Sequence, residues 1–98
     1  MSKRVEDGLT PEARAWRTLF RAIIGHNDYY DGIRRWARKN KIPRKELVNR
    51  LGDKYDGSEM APYAFLDMVE DVIDSLDDEE EAKLTDVDKL MDFVWENA

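Results

Sequence analysis

The sequence predicts an all-α protein, a compact single-domain bundle of four to five helices that spans residues 1–98. Apolar residues recur at helical spacing in several segments, and no segment alternates apolar and polar residues for long enough to predict a strand. Residues that cap helices precede most of these segments. Because 42% of the 98 residues are hydrophobic, the chain is expected to bury a core in one domain.

The first helix is predicted over residues 11–24, after a loose leader formed by residues 1–9. Thr10 offers an N-cap, Pro11 suits the first turn, and Gly25 is a natural stop. The apolar side chains of this helix recur at helical spacing, at Trp16, Leu19, Phe20, Ile23 and Ile24.

The second and third helices are separated by Pro43. Asp28 can cap the second helix, which must end before the proline because the preceding residue is biased away from helical geometry. Pro43 can then open a short third helix that stops at Gly52, and residues 53–57 have the composition of a turn. Tyr30 is expected to be partly exposed. The predicted inner faces consist of Tyr29, Ile33, Trp36, Ala37 and Asn40, and of Leu47, Val48 and Leu51.

The fourth helix can be capped by Ser58, and its apolar face is Leu66, Val69, Val72, Ile73 and Leu76. The acidic run over residues 77–81 either continues this helix or forms a short helical turn. Thr85 and Asp88 resemble a capping box for the last helix. The apolar face of that helix is Val87, Leu90, Met91, Val94 and Trp95.

Charge is distributed unevenly along the chain. Residues 1–50 contain 13 Lys and Arg against 6 Asp and Glu, whereas residues 51–98 contain 3 against 16. The halves therefore carry net charges of +7 and −13, and the whole chain carries −6. Such asymmetry predicts that at least one face of the protein meets charge of the opposite sign.

The acidic residues of the fourth helix share one flank of a helical wheel, provided that the helix continues to residue 81. No Lys or Arg interrupts the series. It has one negative charge per ~3 Å, a density similar to that of a single nucleic-acid strand. Three interpretations are open: a solvated face, an intramolecular partner for the basic half, and a docking surface for a basic protein. The candidate partner-binding residues are Asp67, Glu70, Asp71, Asp74, Asp77, Asp78 and Glu81.

Basic residues extend over the first three predicted helices. Arg14, Arg17 and Arg21 share a flank of the first helix, and more cations follow in the next two. They could contact a phosphate backbone, surround the core, or pair with carboxylates of the same or a neighbouring molecule, so self-association is an open alternative. The candidate nucleic-acid-binding residues are Arg34, Arg35, Arg38, Arg44 and Lys45.

Residues 32–52 resemble the opening of a lambda-repressor-like helix-turn-helix domain. In that family a helix leads through a short turn into a second helix, whose motif is matched here by Lys45, Glu46, Leu47, Leu51 and Gly52. The resemblance implies a DNA-binding regulator whose recognition helix follows Gly52. Because an acidic segment occupies that place, the resemblance assigns no base-contacting residue.

Few residues point to catalysis or to a cofactor. His26 is the only histidine and the chain has no cysteine, so neither a nucleophile pair nor a zinc site is expected. The sequence has no glycine-rich phosphate loop and no EF-hand spacing. We therefore expect a non-enzymatic protein without metal or cofactor. The lack of a secretory signal and of a long apolar run predicts a cytoplasmic location without membrane contact.

Together these features predict a small interaction protein that docks an acidic helix face onto a basic, nucleic-acid-binding surface of a partner. Its size, acidity and lack of catalytic motifs are similar to those of small phage-type inhibitors, such as anti-restriction or anti-CRISPR proteins. The alternatives are a helix-turn-helix DNA-binding regulator and a structural or assembly subunit. Reversal of Glu70, Asp71 and Asp74 to Lys is expected to abolish partner binding while the fold survives.

Overall fold

A computed structural model describes residues 10–56 and 58–97, which form six α-helices, one short 3-10 turn and no strand. The predicted all-α fold is confirmed, with one helix more than the expected four to five. The predicted leader of residues 1–9 lies outside the described residues. The helices are α1 (Pro11–His26), α2 (Asp31–Lys39), α3 (Arg44–Tyr55), α4 (Pro62–Ser75), α5 (Asp78–Lys83) and α6 (Val87–Asn97), and the 3-10 turn is Asp28–Tyr30.

The first helix begins as predicted and ends two residues later than expected. The Thr10 hydroxyl accepts a hydrogen bond from the Ala13 N–H at 3.0 Å, which caps the N-terminus of α1. Gly25 does not stop the helix, and Asn27 ends it with extended backbone geometry. The 3-10 turn then changes the phase of the chain before α2. As a result Tyr30 is buried and Tyr29 is 56% exposed, so the predicted orientation of the two tyrosines is wrong.

The connection from α2 to α3 is a Schellman motif. Lys41 has a positive φ of 58°, the Lys41 N–H donates to the Arg38 carbonyl, and the Ile42 N–H donates to the Ala37 carbonyl. Pro43 follows as the N-cap of α3. The helix α3 continues to Tyr55, three residues beyond the stop that Gly52 was expected to provide.

The acidic half contains three helices. The N-cap of α4 is Ala61, not Ser58. The acidic run after α4 is a separate helix, α5, because Leu76 and Asp77 have extended backbone and Asp77 forms a capping box with Glu80. The last helix, α6, begins one residue after Asp86, whose carboxylate accepts from the Lys89 N–H at 2.8 Å.

The core is a single cluster of apolar side chains from the 3-10 turn and from every helix except α5. Trp36 is buried as predicted, and its indole N–H donates to the Leu84 carbonyl at 2.9 Å. Phe65 stacks on Phe20, with ring centroids 5.7 Å apart. Trp95 contacts Phe65 but is 40% exposed. Phe65 therefore joins α4 to α1 and α6, and α4 also packs on α2.

Candidate functional site

The predicted acidic series does not lie on one continuous helix. The helix α4 ends at Ser75, so Asp67, Glu70, Asp71 and Asp74 lie on α4. Asp78 and Glu81 lie on α5, and Asp77 is its N-cap. Leu76 and Asp77, between the two helices, have extended backbone geometry, so one helical wheel does not describe all seven carboxylates.

Glu70 is buried and interacts with the start of α2. It is 4% exposed, and its two carboxylate oxygens accept hydrogen bonds from the Gly32 N–H at 3.1 Å and the Ile33 N–H at 2.9 Å. These amides belong to the first turn of α2, which has no intrahelical acceptor for them. A Cβ atom at residue 32 would collide with the Glu70 carboxylate, so the close approach depends on Gly32. Glu70 thus caps α2 and is not available to a partner.

Burial is the main cause that raises the pKa of Glu70 above its ordinary value, and the nearby Asp74 charge raises the pKa further. The hydrogen bonds from the Ile33 and Gly32 backbone act in the opposite direction. A lysine at residue 70 would lose both capping bonds and place a cation in the space that the carboxylate fills. The expectation that the fold survives reversal of Glu70 to Lys is therefore corrected: tests of the acidic residues must leave Glu70 in place.

Two further carboxylates of the series have partners within the chain. The Tyr30 hydroxyl donates to the Asp67 carboxylate at 2.5 Å, and Asp67 is half-buried. Burial and this hydrogen bond raise the pKa of Tyr30. Glu81 accepts from the Lys39 ammonium at 2.6 Å, which connects α5 to α2. Of these two carboxylates, Glu81 is the one that pairs with a cation of the basic half, as the intramolecular interpretation expected.

The remaining four carboxylates are exposed and form what we call the acidic surface, although two of them also have a role within the chain: Asp77 caps α5, and Asp74 interacts with the Glu70 carboxyl group. Within residues 10–56 and 58–97, none of the ion pairs involves a member of this group. The acidic surface consists of Asp71, Asp74, Asp77 and Asp78.

Two exposed tyrosines accompany α4. Tyr29 is 56% exposed and Tyr63, in the first turn of α4, is 53% exposed. The charge of Asp71 is the largest of the causes that raise the pKa of Tyr29. This shift indicates that the negative potential of α4 extends to the Tyr29 ring. Sequence reasoning missed Tyr29 because the phase change in the 3-10 turn was not visible in the periodicity.

The candidate nucleic-acid-binding residues have unequal surroundings. Arg34 is largely buried: it donates to the Ile24 carbonyl at 2.9 Å and pairs with Asp31 at 3.2 Å. Arg35 also pairs with Asp31, at 2.9 Å. Hydrogen bonds from these two arginines lower the pKa of Asp31. The other three candidates, Arg38, Arg44 and Lys45, are exposed.

Cations of α1 and α3, among them the candidate Lys45, line a groove between these two helices. We call it the basic groove, and define it by Arg14, Thr18, Arg21, Lys45, Val48 and Asn49. Arg17, predicted to share a flank with Arg14 and Arg21, lies beneath them and is 5% exposed. Its guanidinium donates to the Ala13 carbonyl at 2.9 Å and pairs with Asp53. Arg17 therefore joins α1 to α3, and the groove keeps the exposed cations.

Comparison of the chain with protein-family models, with curated proteins and with solved structures found no match. Among the described residues, no group of three or more His, Asp or Glu side chains could hold a metal ion. In the same part of the chain, no helix is both long and apolar enough to cross a membrane.

Proposed function

We propose that this protein is a small regulator or inhibitor that docks its acidic surface onto a basic, nucleic-acid-binding surface of a partner protein. One observation carries the proposal: Asp71, Asp74, Asp77 and Asp78 are exposed and have no ion pair among the described residues. Like charges at helical spacing cost roughly 0.2–0.5 kcal/mol per pair, and interleaved cations would remove that cost. A cationic partner surface would remove it as well.

The mechanism is electrostatic attraction followed by steric occlusion. A cluster of one charge sign increases the association rate with an oppositely charged surface, because its field guides the encounter. The two exposed tyrosines beside α4 add apolar area, and tyrosine is enriched where interfaces concentrate their binding energy. A bound protein would then exclude nucleic acid from the same surface, as phage-type anti-restriction or anti-CRISPR proteins do.

The test compares two charge-reversal variants with equal change in net charge. Asp71→Lys with Asp74→Lys alters the acidic surface, whereas Asp92→Lys with Glu96→Lys alters exposed positions of α6. Each variant and the wild type would be used to capture proteins from extract of the native host. We expect the wild type and the α6 variant to capture a protein that excess duplex DNA releases. The variant of the acidic surface should not capture it.

Two results would contradict the proposal. Capture of the same DNA-releasable protein by all three forms would show that the acidic surface is not the docking site. Binding of the wild type itself to a labelled duplex, with an affinity that falls by orders of magnitude between about 50 and 200 mM salt, would favour a DNA-binding regulator instead. Circular dichroism of each variant checks that its helices are intact.

A further inference from the structure

The basic groove and the acidic surface lie on different helices, and within residues 10–56 and 58–97 no ion pair joins Arg21 or Lys45 of the groove to the acidic surface. The helix α1 packs mainly on α3, whereas α4 packs mainly on α2 and α6. The ion pairs that join the two halves of the chain use other residues: Arg17 pairs with Asp53 and Asp56, Lys39 with Glu81, and Arg50 with Asp88. Each molecule therefore presents two surfaces of opposite charge.

The groove has the dimensions of a helix face. Arg14 and Arg21 are seven residues apart on α1, which corresponds to ~10.5 Å along the helix axis. Lys45 and Asn49 extend the groove across α3, and Val48 supplies an apolar floor. On α4, the exposed Asp71 and Asp74 are three residues apart, which corresponds to ~4.5 Å along the helix axis. The exposed carboxylates of α4 therefore fit within the length of the groove.

We propose that the basic groove of one molecule binds the acidic surface of a second copy of this chain. The contact joins two different surfaces, so it is heterologous: each molecule in a row uses its groove on one neighbour and its acidic surface on the other. A second copy fits better than a nucleic acid because the groove is short. A long polyanion would continue past it along a protein whose net charge is −6. The inference does not depend on the identity of any other partner.

The strength of the contact should depend strongly on salt. Exposed ion pairs contribute up to about 1 kcal/mol each, so only a few of them support weak association. The Debye length is ~30 Å at 0.01 M ionic strength and ~3 Å at 1 M, so the attraction is screened at high salt. We expect the average mass in light scattering to rise with protein concentration at low salt, and to return to the monomer mass at about 1 M salt.

Two variants allow a complementation test. Arg21→Glu with Lys45→Glu reverses the groove and keeps the acidic surface, while Asp71→Lys with Asp74→Lys does the opposite. Each variant alone should remain monomeric at low salt. In their mixture the intact acidic surface of one variant meets the intact groove of the other, and the reversed groove meets the reversed acidic surface with opposite charge. The mixture should therefore associate again at low salt. Arg38→Glu with Lys41→Glu changes exposed cations outside the groove and serves as the control that still associates.

Several outcomes would overturn the inference. A wild type that stays monomeric at low salt and about millimolar concentration would do so, as would self-association that persists in the groove variant. A mixture of the two variants that remains monomeric would exclude the proposed pairing of surfaces. If the wild type instead binds a labelled duplex, and the groove variant loses that binding, the occupant of the groove is a nucleic acid. None of these results alters the capture experiment, so the two proposals fail independently.

Discussion

Glu70 combines two properties that favour opposite protonation states. Its carboxylate accepts two backbone hydrogen bonds, which favour the charged form, but burial favours the neutral form and raises the pKa of Glu70. Burial is the larger effect. The free energy of unfolding should therefore depend on pH through this single side chain.

The sign of that dependence follows from proton binding. Between the ordinary Glu pKa of 4.5 and the raised pKa of Glu70, the folded protein binds more protons than the unfolded chain. The stability that protonation of Glu70 adds is complete below pH 4.5 and is lost as the pH rises through the raised pKa. Urea unfolding of the wild type and of Glu70→Gln, from pH 4.5 to 7, should show a steeper loss with rising pH in the wild type.

Asp71→Asn is the matched control, because it removes an exposed carboxylate from the same helix. It should keep the slope of the wild type. The pKa of Asp31 is lowered, so its contribution to the free energy of unfolding is lost as the pH falls, not as it rises. This loss occurs below the ordinary pKa of 3.8 and therefore outside the interval of the experiment. If wild type and Glu70→Gln show the same slope over this interval, Glu70 does not titrate there and our account of its burial is wrong.

At the scale of secondary-structure elements, two glycines that resemble helix stops lie inside helices. Gly52 is buried in α3, and a Cβ atom there would lie 2.8 Å from Arg17 side-chain carbons. It therefore allows α1 and α3 to approach each other closely. A Cβ atom at Gly25 would meet only the Arg44 guanidinium, at 2.9 Å, which is the end of a flexible side chain.

Substitution of these glycines by alanine should have opposite effects. Gly52→Ala must displace Arg17 from its contacts with Asp53 and Ala13, and should lower the free energy of unfolding by about 1–3 kcal/mol. Gly25→Ala should raise it by about 0.5–1 kcal/mol, because alanine favours helical backbone over glycine. Urea unfolding of both variants measures the difference. Equal effects of the two substitutions would contradict the packing role of Gly52.

Helix positions could be predicted from the sequence, whereas several boundaries could not. Periodicity and capping chemistry identified the start of α1 and the buried faces of α3 and α6. The helix ends predicted at Gly25 and Gly52 were wrong because a glycine inside a helix cannot be told from a glycine that ends one by sequence alone. Gly52 is needed there for close packing against Arg17. The break after Ser75 was missed because apolar spacing continues through Leu76, and only the capping box of Asp77 marks a new start.

At the scale of the whole molecule, the uneven charge is a property of the sequence itself, but its division between structure and surface could not be predicted. Burial of Glu70 depends on a contact with Gly32, and pairing of Glu81 depends on Lys39. These partners lie in the other half of the chain, and a helical wheel contains no information about them. Of the seven carboxylates chosen from the sequence, four remain as the acidic surface.

Stability should be unevenly distributed over the molecule. The six-residue helix α5 has no buried residue. Two polar contacts connect α2 to α5 and its C-cap: the Lys39 ammonium pairs with Glu81, and the Trp36 indole donates to the Leu84 carbonyl. Segments with few buried contacts open at lower free energy than the whole protein. Hydrogen exchange should therefore be faster for the α5 amides than for those of α1 and α4. Equal protection of α5 and α4 would show that the molecule opens only as a unit.

The cap that Glu70 provides for α2 also has a consequence for synthesis of the chain. Glu70 follows Gly32 by 38 positions, so at ~5–20 residues per second it is made roughly 2–8 s later. During this interval the first amides of α2 have no Glu70 carboxylate to bind, even if the basic half has already emerged from the ribosome. We therefore expect α2 to remain frayed at its start in a nascent chain and to become complete only when α4 has emerged.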